Sequence, residues 1–101
     1  MLHLFNFAFS GHDEAFRCLS RLSDDDRVLF LGNGVACVIK HSPAAGTIQA
    51  ASENIRLFVL KPDLLARGLA TDSLLPGIEP VDYSVFVELA AQQGPVHSWF
   101  R

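Results

Sequence analysis

Two runs constrain the fold more than anything else in the chain: Arg27 to Leu31 (Arg-Val-Leu-Phe-Leu) and Ile55 to Leu60 (Ile-Arg-Leu-Phe-Val-Leu). A segment almost free of polar side chains cannot turn one wet and one dry face. Each run therefore predicts a strand covered on both faces, as in a parallel sheet packed between helices. Around them the period changes. Ala15, Cys18, Leu19 and Leu22 stand at i, i+3, i+4 and i+7, an apolar stripe on one face of a helix. Ser10-Gly11-His12-Asp13, with Glu14 next, gathers acidic groups where that helix begins.

The remaining segments continue the alternation. Leu2 to Phe7 reads as a first strand. Pro62 suits a helix start, Asp63 and Arg67 stand i,i+4 apart as a surface ion pair, and Gly68 supplies a left-handed stop. Ile78 to Val81 predicts a short strand, which Pro80 confines to a sheet edge or a strand end. Asp82 is placed to cap a helix carrying Tyr83, Phe86, Val87 and Ala90 on one apolar face, and Val96 to Phe100 closes the chain as a strand. Strands alternating with helices predict one α/β domain over residues 1–101, built on a parallel sheet of four or five strands. Two stretches stay open. Val35 to Ile39 can return as a hairpin strand after Asn33-Gly34, or belong to a loop entering a short helix. His41 to Gly46 reads as loop, with Ala50, Ala51 and Ser52 in a weakly defined connector.

Half of the residues are hydrophobic and only 19% are charged. A chain this short has a small interior, so the surplus predicts apolar surface that meets a partner. With 8 basic and 11 acidic residues and no basic stripe, direct nucleic-acid capture is not expected. No apolar run is long enough to span a bilayer, and no signal-peptide features appear, so the expectation is a cytoplasmic protein with free thiols at Cys18 and Cys37.

Candidate chemistry is sparse. Gly32-Asn33-Gly34 lacks both the dinucleotide and the P-loop pattern and reads as a turn, which leaves a stand-alone nucleotide-binding module as a remote alternative. His3, His12, His41 and His97 are scattered, no serine sits in a nucleophile elbow, and Asp24-Asp25-Asp26 reads as a solvated run. Neither a metal nor a cofactor is expected. Cys18 is the one reactive candidate, a catalytic thiol able to carry sulfur as a persulfide if partly exposed. Its commoner fate is that of an apolar filler. Cys37, inside an apolar run, is the weaker candidate.

Five stretches together resemble the TusB/DsrH family: Met1-Leu2-His3, Gly34-Val35, Asp63-Leu64-Leu65-Ala66-Arg67-Gly68-Leu69, Val81 to Leu89 (Val-Asp-Tyr-Ser-Val-Phe-Val-Glu-Leu), and Trp99. The resemblance implies a DsrE-like, Rossmann-like fold with helices on both faces of the sheet, which favours the loop-into-helix alternative after Gly34. It implies a heterohexamer with sister subunits resembling TusC/DsrF and TusD/DsrE. Such a complex relays persulfide sulfur through a downstream carrier protein, either toward 2-thiolation of tRNA wobble uridine or in sulfur oxidation. The principal relay cysteine is on the TusD/DsrE subunit, so the role implied for this chain is structural or accessory. Cys18 lies where DsrH-type members carry a cysteine that TusB-type members can lack.

Overall fold

A computed structural model describes all residues, 1–101. Its strands are β1 (Leu2–Phe5), β2 (Arg27–Phe30), β3 (Arg56–Leu60), β4 (Ile78–Val81) and β5 (Val96–Trp99). Its α-helices are α1 (His12–Leu19), α2 (Ala45–Ala51), α3 (Lys61–Ala66) and α4 (Tyr83–Gln92), with 3-10 turns at Gly32–Cys37 and Thr71–Ser73. Every pairing is parallel, and the strands lie in the order β4-β3-β2-β1-β5.

That order decides which face each helix covers. The chain steps from β1 to β4 in one direction and then returns across the sheet to place β5 beside β1. Parallel crossovers are right-handed, so reversing the direction puts the last helix on the opposite face. Accordingly Phe5, Val28, Phe30, Leu57 and Val59 face one cluster, which Ala15 and Leu19 of α1 and Ile48 of α2 complete. Leu2, Leu4, Leu29, Phe58 and Leu60 face the other, against Val85, Phe86 and Leu89 of α4. Residues one apart along each strand go to opposite faces, which is why the two apolar runs have no wet side.

The two covers are unequal. No residue of α4 is fully buried. The face expected to run through Tyr83, Phe86, Val87 and Ala90 is split: Phe86 and Ala90 pack on the sheet with Val85 and Leu89, whereas Tyr83 and Val87, one turn apart, stay 56% and 67% exposed, and Val96 on the neighbouring edge strand is 45% exposed. The other edge is β4, where Pro80 sits as its missing N–H requires.

Several local expectations are corrected. Val35 to Ile39 forms no hairpin strand. Gly32–Cys37 is a 3-10 turn, and Ile39 makes only an isolated antiparallel bridge to Leu74. The stretch expected as a connector is helix α2, which already includes Ala45 and Gly46. Small residues hide its stripe, and burial of Ile48 fixes it. The first strand ends at Phe5, before Phe7. At the start of α1, the Ser10 N–H donates to the Glu14 carboxylate at 2.9 Å. Asp82 occupies the cap position of α4, but its side chain makes no capping bond.

Candidate functional site

Residues 14, 17, 18 and 21 follow the helical spacing i, i+3, i+4, i+7, so Glu14, Arg17, Cys18 and Arg21 share one side of α1 and its C-terminal extension. That side faces the carboxyl ends of β1 and β5, the end of a parallel sheet where ligands usually bind. There it borders a cleft of about 430 Å³, whose far wall is Phe7 and the segment Ser98 to Arg101. The far wall is tied in place. The Arg101 N–H donates to Asn6 Oδ1 at 2.9 Å, and Asn6 Nδ2 donates to the Arg101 carbonyl at 3.3 Å. The Asn6 side chain thus continues the β1–β5 ladder past its last backbone pair. The Arg101 guanidinium then pairs with the buried Glu14 carboxylate and lies 4.1 Å over the Phe7 ring.

Cys18 is half-buried at this wall. Burial pushes its thiol above the ordinary value and the Glu14 carboxylate adds to this, while Arg101, Arg17 and Arg21 pull the other way. Glu14 is held below its usual range, first by Arg101 and then by the Ser10 N–H. Cys37 is the more deeply enclosed of the two thiols. It is 1% exposed, its S–H donates to the Gly34 carbonyl at 3.0 Å, and burial pushes it up to about 11.

The histidines are not all scattered. Parallel register sets His3 opposite His97, and their rings lie 5.7 Å apart. The Trp99 indole N–H donates to His3 Nδ1 at 3.1 Å, so the N–H of His3 is at Nε2, facing Asp26 Oδ2 at 3.2 Å. Burial lowers the His3 pKa despite Asp26. Asp26 is therefore not a solvated member of its acidic run. It accepts the Ser23 N–H, pairs with the Met1 ammonium at 3.2 Å and takes the His3 contact, and these hold it below its usual value. The network fixes the orientation of Trp99, which stacks on Phe5 and walls the cleft.

A larger groove of about 680 Å³ runs between α1 and α2, past Phe16, Leu22, Ala50 and Ile55. It contains no cysteine, and its one histidine, His12, is hydrogen-bonded to Thr47. The smaller cleft is the one bordered by Cys18.

The turn after β2 is occupied by its own contacts. The Asp63 carboxylate accepts the Gly32 N–H at 2.7 Å, and the Gly34 N–H donates to the Leu31 carbonyl. Arg67 donates to the Asp63 carbonyl and to Asn33 Oδ1, each at 3.1 Å. The expected Asp63–Arg67 ion pair is thus replaced by two separate clamps on the turn. Gly34 packs so closely that a Cβ there would lie 2.4 Å from the Phe5 carbonyl oxygen.

The family model described as DsrH like protein matches residues 10–96. This chain belongs to the DsrH/TusB family. Protein TusB of Shigella flexneri is 33% identical over 81 residues, covering 80% of this chain and 82% of that protein. Protein TusB of Escherichia coli O139:H28 is 32% identical over the same shares. The fold is also that of a protein of unknown function from Methanobacterium thermoautotrophicum (TM-score 0.76, 18% identity, 96% of this chain and 95% of that one). The ychN protein from E. coli is similar too (TM-score 0.74, 19% identity, 97% of each chain). In this DsrH/TusB family member, the Asp63–Gly68 segment clamps a turn and the Val81–Leu89 segment covers a sheet face. Of the residues around the cleft, sequence reasoning singles out Cys18 alone. Glu14, Arg17 and Arg21 are legible in their spacing with it. Phe7, Trp99 and Arg101 are not, because only the β1–β5 pairing brings them there.

Proposed function

We propose that this chain is an accessory subunit of a cytoplasmic sulfur-relay complex, seated against sister subunits resembling TusC/DsrF and TusD/DsrE. The complex passes persulfide sulfur through a downstream carrier protein toward 2-thiolation of tRNA wobble uridine. Family membership supports the relay role. The observation that supports seating against other subunits is the thin cover of the α4 face. Tyr83, Val87 and Val96 present apolar surface to water beside the open edge of β5, a combination that a partner would cover. Co-expression with the two sister subunits followed by size-exclusion chromatography tests this. Co-elution is expected, and Val87→Glu should release this chain from the complex. A monomer that ignores both subunits overturns the reading. Loss of 2-thiouridine from tRNA hydrolysates after deletion of the gene would favour the tRNA branch over sulfur oxidation.

A second reading, in which Cys18 itself takes up sulfur, is supported by the cleft at its side. A persulfide donor should then add about 32 Da to the wild type and nothing to Cys18→Ser.

A further inference from the structure

We propose that the cleft beside Cys18 binds a small carboxylate-bearing thiol persulfide of peptide size, its carboxylates on Arg17 and Arg21 and its outer sulfur at Cys18 Sγ. The proposal rests on the second reading above and names the donor for it. Charge is the first argument. The chain carries a net charge of −3, yet three guanidiniums, Arg17, Arg21 and Arg101, line this one cleft with Glu14 as its only acidic side chain. Glu14 is engaged by Arg101. Arg17 makes only a long contact to the Asp13 carbonyl at 3.4 Å, and Arg21 has neither an ion-pair nor a hydrogen-bond partner. Two guanidiniums are therefore free for two anionic groups, and Arg forks match carboxylates well.

Size is the second argument. A cleft of about 430 Å³ falls in the range of small-molecule sites and is far larger than an inorganic sulfur anion needs. Phe7, Trp99 and Phe100 supply apolar walls suited to the planes of a short peptide.

The transfer balances. Cys18 Sγ attacks the outer sulfur of the bound persulfide, and the ligand's S–S bond breaks as the new S–S bond forms on Cys18. Cys18 attacks as the thiolate after losing its proton to solvent, and the ligand's departing thiolate takes a proton from solvent and leaves as a thiol. The sulfur moves without a net change of oxidation state, so no oxidant or reductant is needed. A persulfide is a stronger acid than a thiol, so the anionic product forms beside the guanidiniums, whereas burial and Glu14 keep the resting thiol protonated.

The test uses the full chain and its one tryptophan, Trp99, as the reporter. S-methylglutathione, which carries two carboxylates and cannot transfer sulfur, should bind and change Trp99 fluorescence. Arg17→Gln and Arg21→Gln should each weaken it about tenfold, the size of one charge-assisted contact. Arg21 is exposed and has no partner within the chain, so Arg21→Gln should fold normally, which a thermal melt checks. Glutathione persulfide should load Cys18 at least about ten times faster than thiosulfate does, in proportion to the better-filled cleft. Absence of S-methylglutathione binding at about 10 mM, well above ordinary small-ligand affinities, overturns the proposal. So does binding that both Arg variants leave unchanged, or thiosulfate that loads Cys18 equally well. If Cys18 is loaded by another persulfide donor while S-methylglutathione fails to bind, the ligand assignment falls and Cys18 as acceptor survives. If no donor loads Cys18, that reading falls as well.

Discussion

The turn that carries Cys37 and the cleft that carries Cys18 both lie at the carboxyl ends of the strands, yet their polar groups are used in opposite ways. In the turn, each group is consumed by the fold. Asp63 takes the Gly32 N–H, Arg67 takes Asn33, the Cys37 thiol takes the Gly34 carbonyl, and Gly34 touches the Phe5 backbone. In the cleft, one ion pair anchors the wall, while Arg17 and Arg21 form no ion pair and the Cys18 thiol no hydrogen bond within the chain. A residue set that satisfies itself specifies structure, and one that leaves donors beside a cleft is available for chemistry.

Alkylation should separate the two regions most sharply. In native protein at pH 8, iodoacetamide should modify Cys18 at least about a hundredfold faster than Cys37, because reaction needs an accessible thiolate and Cys37 offers neither access nor charge. Peptide mass mapping reads this directly. Equal rates in the native state would erase the contrast, whereas equal rates in denaturant are expected.

Stability should divide the regions next. Gly34→Ala drives a Cβ to 2.4 Å from the Phe5 oxygen, which the strand can relieve only by moving, so a loss of about 3 kcal/mol or more is expected. Asp63→Ala leaves the Gly32 N–H without its acceptor and should cost about 1–3 kcal/mol. Arg21→Gln on the cleft should stay within about 0.5 kcal/mol, as for ordinary surface positions. Urea melts of the three variants test the order. A cleft substitution as damaging as Gly34→Ala would mean that the cleft too is framework.

The same division separates what the sequence displays by itself from what it hides. Two doubly buried strands are visible in Arg27–Leu31 and Ile55–Leu60, because burial on both faces removes polar residues locally. The stop at Gly68 is visible because it adopts φ +73°, a conformation other residues resist. Helix α2 is hidden, since Ala44 to Ala51 contains one large apolar residue, Ile48, and so writes no stripe. Asp63 and Arg67 look like partners because sequence spacing shows who is near on a helix but not what stands opposite it. The cleft is half visible. α1 contributes its residues at helical spacing, whereas Trp99 and Arg101 arrive from the far end of the chain through parallel pairing with β1. The His3–Trp99–Asp26 network is invisible in the sequence for the same reason.

The smallest expected effect is the most specific to the cleft. Glu14→Gln removes the carboxylate that raises the Cys18 thiol and frees Arg101, so alkylation of Cys18 at pH 8 should speed up by a few-fold while Cys37 stays unreactive. The stability cost should remain below about 1 kcal/mol, because the Arg101 side chain is 59% exposed and solvent screens the pair. Its pH dependence has a definite sign. Arg101 and the Ser10 N–H hold the folded-state pKa of Glu14 below the ordinary 4.5, so between the two values the unfolded chain binds more protons than the folded one. The contribution of Glu14 is therefore present above that ordinary value and is lost as the pH falls through the lower, folded-state value. Wild type and Glu14→Gln should differ in melting temperature at pH 7 and converge under acid. A difference that persists or grows in acid would show that Glu14 acts by packing alone, and that the cleft wall is set by something other than its ion pair.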